Sequence, residues 1–173
     1  MTKRVIFLLI ATLLLTLSLA GCSSAGAAWS FGPKEDISNY SAEDLQSFQD
    51  RLNKMDAPES GVCFTGYYTE YDEDGTLRVY GFLRNYTGKI IYDIRGTVEI
   101  KKNDDVIASA YFTFEEEDFG QLGHKESRPW CLEYTAEYVE DGEADLSTYV
   151  VATDLEFTQK SMSFVEWIGS LFR

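Results

Sequence analysis

The chain has 173 residues, room for one modest domain, and its 45% apolar and 14% aromatic content argues against disorder. Fifteen basic against 29 acidic residues set the net charge at −14; without a leader that contains Lys3 and Arg4 the balance is thirteen against 29, or −16. Such a surface repels nucleic acid and anionic headgroups, which excludes nucleic acid as a partner and suits cationic partners or divalent ions.

Lys3 and Arg4 open the chain with positive charge, and Val5–Ala20 follows as an apolar run broken only by Thr12, Thr16 and Ser18. The run is short for a spanning helix and carries the flanks of an export signal. It ends in Leu19-Ala20-Gly21-Cys22, which resembles the lipobox of bacterial lipoproteins. The resemblance implies a signal peptide over residues 1–21, acylation of the Cys22 thiol, and cleavage that leaves Cys22 as the new N-terminus. Two acyl chains, each contributing about 0.8 kcal/mol per buried CH₂, anchor a protein stably where one does not. The expected location is the extracytoplasmic face of a bacterial cell membrane, held through lipid on Cys22.

Residues 22–34 read as the lipidated N-terminus and a flexible tether, small-residue-rich over Ser23–Ala28. Trp29 and Phe31 suit either the membrane interface or a return onto the domain. Residues 35–58 read as a helical segment. Ser41 is placed as an N-cap with Asp44 three residues on, and Leu45, Phe48, Leu52 and Met55 form one apolar stripe. Asp56-Ala57-Pro58 ends the helix. Packing on the domain is the expected use of the stripe, with a partner-binding face as the alternative.

Residues 59–173 read as a β domain with a terminal helix. Val62–Tyr71 and Leu77–Asn85 flank Asp72-Glu73-Asp74-Gly75, a hairpin signal. Ile90, Tyr92, Ile94, Val98 and Ile100 share one parity against Asp93, Arg95, Thr97, Glu99 and Lys101, which describes a strand with one buried face. Gly96 interrupts the buried parity and marks a bulge or a close neighbour. Val106, Ala108, Ala110, Phe112 and Phe114 carry the buried parity of the next strand; Trp130, Leu132 and Tyr134 do so for another, and Tyr149–Phe157 is the last. Acidic loops fill Glu115–Gly123 and Glu140–Asp145. Ser161–Phe172 shows a helical apolar face that either docks on the domain or lies on the membrane. The fold expected is all-β dominated: an immunoglobulin-like antiparallel β-sandwich with an N-terminal helix and a short C-terminal helix.

No catalytic constellation is visible. His124, in Gly123-His124-Lys125, is the one histidine, and no HExxH, GxSxG, P-loop or GxGxxG occurs. The acidic clusters lack the spacing of a calcium loop, so no metal site and no cofactor is expected. Asn85-Tyr86-Thr87 matches a glycosylation sequon but reads as a turn. With Cys22 lipidated, Cys63 and Cys131 remain, both on the outward parity of their strands. They form a disulfide if those strands are neighbours, closing a loop for roughly 4 kcal/mol in the chain-entropy model, and stay separate thiols if not.

Phe82-Leu83-Arg84-Asn85, the Thr87-Gly88-Lys89 turn, Ile94–Ile100, Phe112 and Ser127-Arg128-Pro129-Trp130 resemble the S-layer-associated protein (SLAP) domain. They are also similar to the FxLYD-type immunoglobulin-like modules of bacterial lipoproteins. The resemblance spans about Gly66–Tyr138. It implies an envelope-located β-sandwich and brings no catalytic residues. Cys131, the N-terminal helix, the last strand and the terminal helix depart from it. The function expected is a membrane-anchored, non-enzymatic binding or structural module that meets an envelope or secreted protein, linked to surface-layer or envelope assembly; the alternative is a lipoprotein binding a small ligand or divalent ion through its acidic loops.

Overall fold

The computed structural model describes residues 28–161 together with Ser163 and Val165. The leader, Cys22 and the terminal helix expected over Ser161–Phe172 therefore lie outside the described residues. Seven strands form two sheets: β1 (Ala28–Trp29), β2 (Gly61–Tyr71), β3 (Leu77–Tyr86) and β6 (Glu126–Tyr134) in the order β1-β6-β3-β2, and β4 (Ile90–Lys102), β5 (Asp105–Phe114) and β7 (Val150–Lys160) in the order β5-β4-β7. All pairings are antiparallel except β1 with β6. The expected sandwich is present.

Its core lies between the inner faces. Phe64, Val79, Leu83 and Leu132 from the first sheet meet Ile94, Val98, Ile100 and Phe114 from the second. Tyr134 spans the layers, donating its hydroxyl hydrogen to the Val98 carbonyl at 3.3 Å. The β4 alternation holds from Ile94 onward, but its first half differs from the expected parity. Asp93 adopts φ 48° beside a register shift between Tyr92 and Arg95. This bulge resets the phase, so Ile91 is fully buried and Tyr92 only partly. Gly96 is both a neighbour of that bulge and a close approach: a side chain there would collide with the Asp154 carbonyl of β7.

The first sheet is buried on its other face as well. Helix α1 (Ala42–Lys54) begins with a full capping box, Ser41 Oγ accepting from Asp44 N at 3.1 Å and Asp44 Oδ2 accepting from Ser41 N at 2.9 Å. Glu43 and Asp44 at its start and Arg51 and Lys54 at its end complement the helix dipole. Its apolar stripe packs on the domain: Leu52 is 1% exposed, and the Phe48 ring lies 6.3 Å from that of Phe82, which points outward from β3 yet is fully buried. Trp29 and Phe31 fold back onto this layer, with Trp29 Nε1 donating to Gln49 Oε1 at 3.0 Å and Phe31 stacked on Tyr40 at 4.6 Å.

Two arginines of the family-like motifs are buried fastenings. Arg128, 4% exposed, donates to the carbonyls of Phe119, Gln121 and Ser30 and to Ser30 Oγ, tying β6 to the preceding loop and to the N-terminal segment. Arg84, 1% exposed, donates to the Asp56 carbonyl at 2.7 Å, while its Nε has no hydrogen-bond partner and no carboxylate pairs with it. Asn85, fully buried, shares its amide among the carbonyls of Lys89, Leu122 and Gly123 and accepts from Thr87, which is the turn role expected of it.

Leu52→Ala should cost about 2–5 kcal/mol in urea unfolding, since α1 has its one fully buried anchor there. The two arginines should separate. Arg128→Met leaves several buried carbonyls without a donor and should cost about 3 kcal/mol or more. Arg84→Met removes a guanidinium without a counter-charge and releases one carbonyl, that of the exposed Asp56, to water, so it should stay within about 1 kcal/mol of wild type. Equal losses in the two variants would contradict this account.

Candidate binding surface

Cys63 and Cys131 lie on one face of the first sheet, as their parity implied, but do not bond. Cys63 faces Arg84 and Cys131 faces Tyr80, so β3 runs between them. Two strand spacings amount to roughly 9–10 Å, beyond the Cα separation of a disulfide. Both are free thiols, so of the two alternatives the separate-thiol one applies: the strands are not neighbours. Burial is the main cause that raises both thiols above their ordinary value, and Cys131 is pushed up to about 11.

The acidic loops spend their carboxylates on local structure. Asp72 pairs with Arg78 at 2.6 Å, Asp74 accepts from Thr76 N, and Asp145 accepts from Ser147 N and pairs with Lys102 at 3.2 Å. Asp118 and Glu117 pair with Lys34. Among the described residues no group of three or more His, Cys, Asp or Glu side chains is placed to hold a metal ion. His124 is a loop fastening whose Nδ1 accepts from Gly88 N at 3.1 Å, and burial lowers its pKa.

Four clefts of about 470 to 750 Å³ open on the described residues, one of them lined by Asp93, Glu115, Glu116, Glu117 and Glu156 together with Arg95, and two others bear on binding. The larger, about 750 Å³, lies between the β2 and β7 sides and holds Arg84, Lys101 and Lys102. Each of these cations is already engaged, Lys101 with Glu99 at 2.6 Å, Lys102 with Asp145, and Arg84 with Asp56. The second, about 540 Å³, runs between α1 and β6. Its walls are Tyr40, Phe48, Tyr67, Tyr80 and Trp130, its carboxylates are Glu35 and Glu133, and no lysine or arginine lines it. Tyr80 donates to Glu70 at 2.8 Å, and Tyr40 to Glu35 at 3.3 Å. That hydrogen bond to Glu70, with burial second, pushes Tyr80 up to about 12. An aromatic cleft with acidic walls attracts cations through ring faces and charge together.

This cleft was not visible in the sequence, because its walls come from the N-terminal segment, α1, β2, β3 and β6. One signal was present: Tyr80 and Phe82 are aromatic on the parity of β3 that faces away from the sandwich core, which signals a second covered face.

Alkali should weaken the fold. Cys131 and Tyr80 hold their protons more tightly in the folded chain than their ordinary values of 9.0 and 10.0. Their contribution is therefore complete below about pH 9 and is lost as pH rises toward 11 and then 12. Urea midpoints measured from pH 8 upward should fall beyond pH 9, and Tyr80→Phe should flatten the upper part of that fall.

A family model for the SLAP domain matches residues 30–155. No curated protein and no solved structure matches the chain. The match runs from the Phe31 cluster through α1 and both sheets into β7, so the helix and the first part of the last strand, read from sequence as departures, lie within the family's extent. Arg84, Asn85, Arg128 and Trp130 sit inside it as fold-holding residues. With most of its length and both sheets covered, the chain belongs to the SLAP domain family.

Proposed function

We propose that this SLAP-domain chain is a membrane-anchored cell-envelope lipoprotein, held by acyl groups on Cys22, that works as a non-enzymatic binding module in surface-layer or envelope assembly. Leu19-Ala20-Gly21-Cys22 after an apolar run supports the anchor. The observation that carries the binding role is the aromatic, carboxylate-walled cleft between α1 and β6. An envelope or secreted protein is the partner this surface suits, and the excess of acid over base across the chain extends the attraction beyond the cleft. The single histidine already serves a loop, so no nucleophile–base pair supports a hydrolytic reading. The ion-binding alternative is the weaker reading: Asp72, Asp74, Asp118 and Asp145 are engaged in turn caps and ion pairs, and the acidic cleft beside Glu115, Glu116 and Glu117 already holds Arg95.

The anchor is tested by expressing wild type and Cys22→Ala in a bacterial host with labelled palmitate. Wild type should carry label and enter the detergent phase. The variant should carry none, and its mature part should stay out of that phase. An unlabelled, detergent-excluded wild type would end the lipoprotein reading.

A further inference from the structure

We infer that the cleft takes an extended, lysine-rich segment of a partner protein, which adds as a further strand to the open edge of β6. This rests on the binding-module reading and names the partner's chemistry. The first observation is the short reach of β1. It pairs only with Glu126 and Ser127, and Ser30 N reaches the Ser127 carbonyl at 3.0 Å; β6 then continues to Tyr134. Main-chain groups alternate sides along a strand. Since the Ser127 carbonyl faces β1, those of residues 129, 131 and 133 face the same open side. Pro129 fits this phase, because a proline belongs in an edge strand where its nitrogen faces away from the sheet. Cys131 and Glu133 are left presenting both N–H and C=O.

The other edges are less open. β5 is partly closed by the bridge from Ala108 to Val139 and by Glu140 N bonding to the Ile107 carbonyl at 2.7 Å. The β2 and β7 edges lie against each other.

The second observation is what flanks the β6 edge. An added strand would point alternate side chains toward the outer wall of Tyr40 and Phe48, and toward Trp130 and Phe112 at the mouth of the sandwich. Main-chain pairing with side pockets is the mode of strand addition. The third observation is charge. Glu35 and Glu133 stand at the cleft, no lysine or arginine lines it although Glu133 reaches Arg78 beside it at 2.9 Å, and the chain as a whole is at −14. Lysines on the added strand would meet carboxylates and ring faces at once.

The test uses the full chain in detergent micelles and a short synthetic peptide of alternating lysine and valine. Three peptides are compared: this probe, its glutamate-for-lysine counterpart, and a version N-methylated along one edge at a time. The probe should bind and slow hydrogen exchange at the Cys131 and Glu133 amides. The glutamate peptide, and the version methylated on the edge that meets β6, should each bind at least about tenfold more weakly, about 1.4 kcal/mol. Added salt should weaken the probe. Equal binding of the lysine and glutamate peptides would overturn the inference. So would protection confined to another strand edge, or self-association of the chain through β6 with no peptide bound. Because the palmitate assay reads the anchor separately, its outcome is independent of this one.

Discussion

The burial of β3 on both faces is the constraint from which the rest of the structure follows. Val79 and Leu83 enter the sandwich core, while Phe82 and Arg84 are equally buried beneath α1 and the segment that ends it. This strand is also enclosed at its edges, with β2 on one side and β6 on the other. Once it is central, any two residues on β2 and β6 are separated by its width. That fact alone keeps Cys63 and Cys131 apart.

Enclosing a strand also means enclosing its polar groups, which must find partners within the fold. Arg128 and Asn85 meet this demand chiefly by bonding to main-chain carbonyls, with the Glu126 carboxylate 4.0 Å from the Arg128 guanidinium. Each thereby fixes a connection: the Glu115–Gly123 loop for Arg128, alongside its buried Phe119 and Leu122, and the turn before β4 for Asn85. Short family motifs such as Arg-Asn and Arg-Pro-Trp thus encode loop attachment. Arg84 is less well served, a buried cation that donates to one carbonyl and, at 3.4 Å, to the Tyr86 hydroxyl, whose ring lies 5.4 Å from its guanidinium.

Covering the outer face has a consequence at the margin. The N-terminal segment pairs with the start of β6, then leaves it to pass beside Asp118 and Phe119 and join the α1 layer through Phe31 and Tyr40. The uncovered remainder of β6, the aromatic side chains brought by α1 and Tyr40, and the carboxylates Glu35 and Glu133 therefore converge along one line. A docked helix on an antiparallel sheet has made a groove whose floor is an unpaired strand edge. Such edges are normally blunted, and Pro129 blunts only the first part of this one.

Much of the fold was legible in the sequence because it rests on local rules. The capping box at Ser41 and Asp44, the turn at Asp74-Gly75, the alternation from Ile94 onward and the close approach at Gly96 are all short-range patterns, and they match the structure. What the tertiary structure decided is whatever depends on a neighbour distant in the chain. The Asp93 bulge exchanges Tyr92 for Ile91 where β4 shifts register against β7 and Ile91 bridges to Leu122, a residue distant in the chain. The cysteines share a face but not a border, since parity specifies the side of a sheet and says nothing of strand order. The cleft gathers Tyr40, Phe48, Tyr67, Tyr80 and Trp130 from separate elements, each of which reads alone as an ordinary amphipathic residue. Periodicity is a property of a segment, and it records which face is covered; what covers that face, and which edge stays open, are properties of the packed whole.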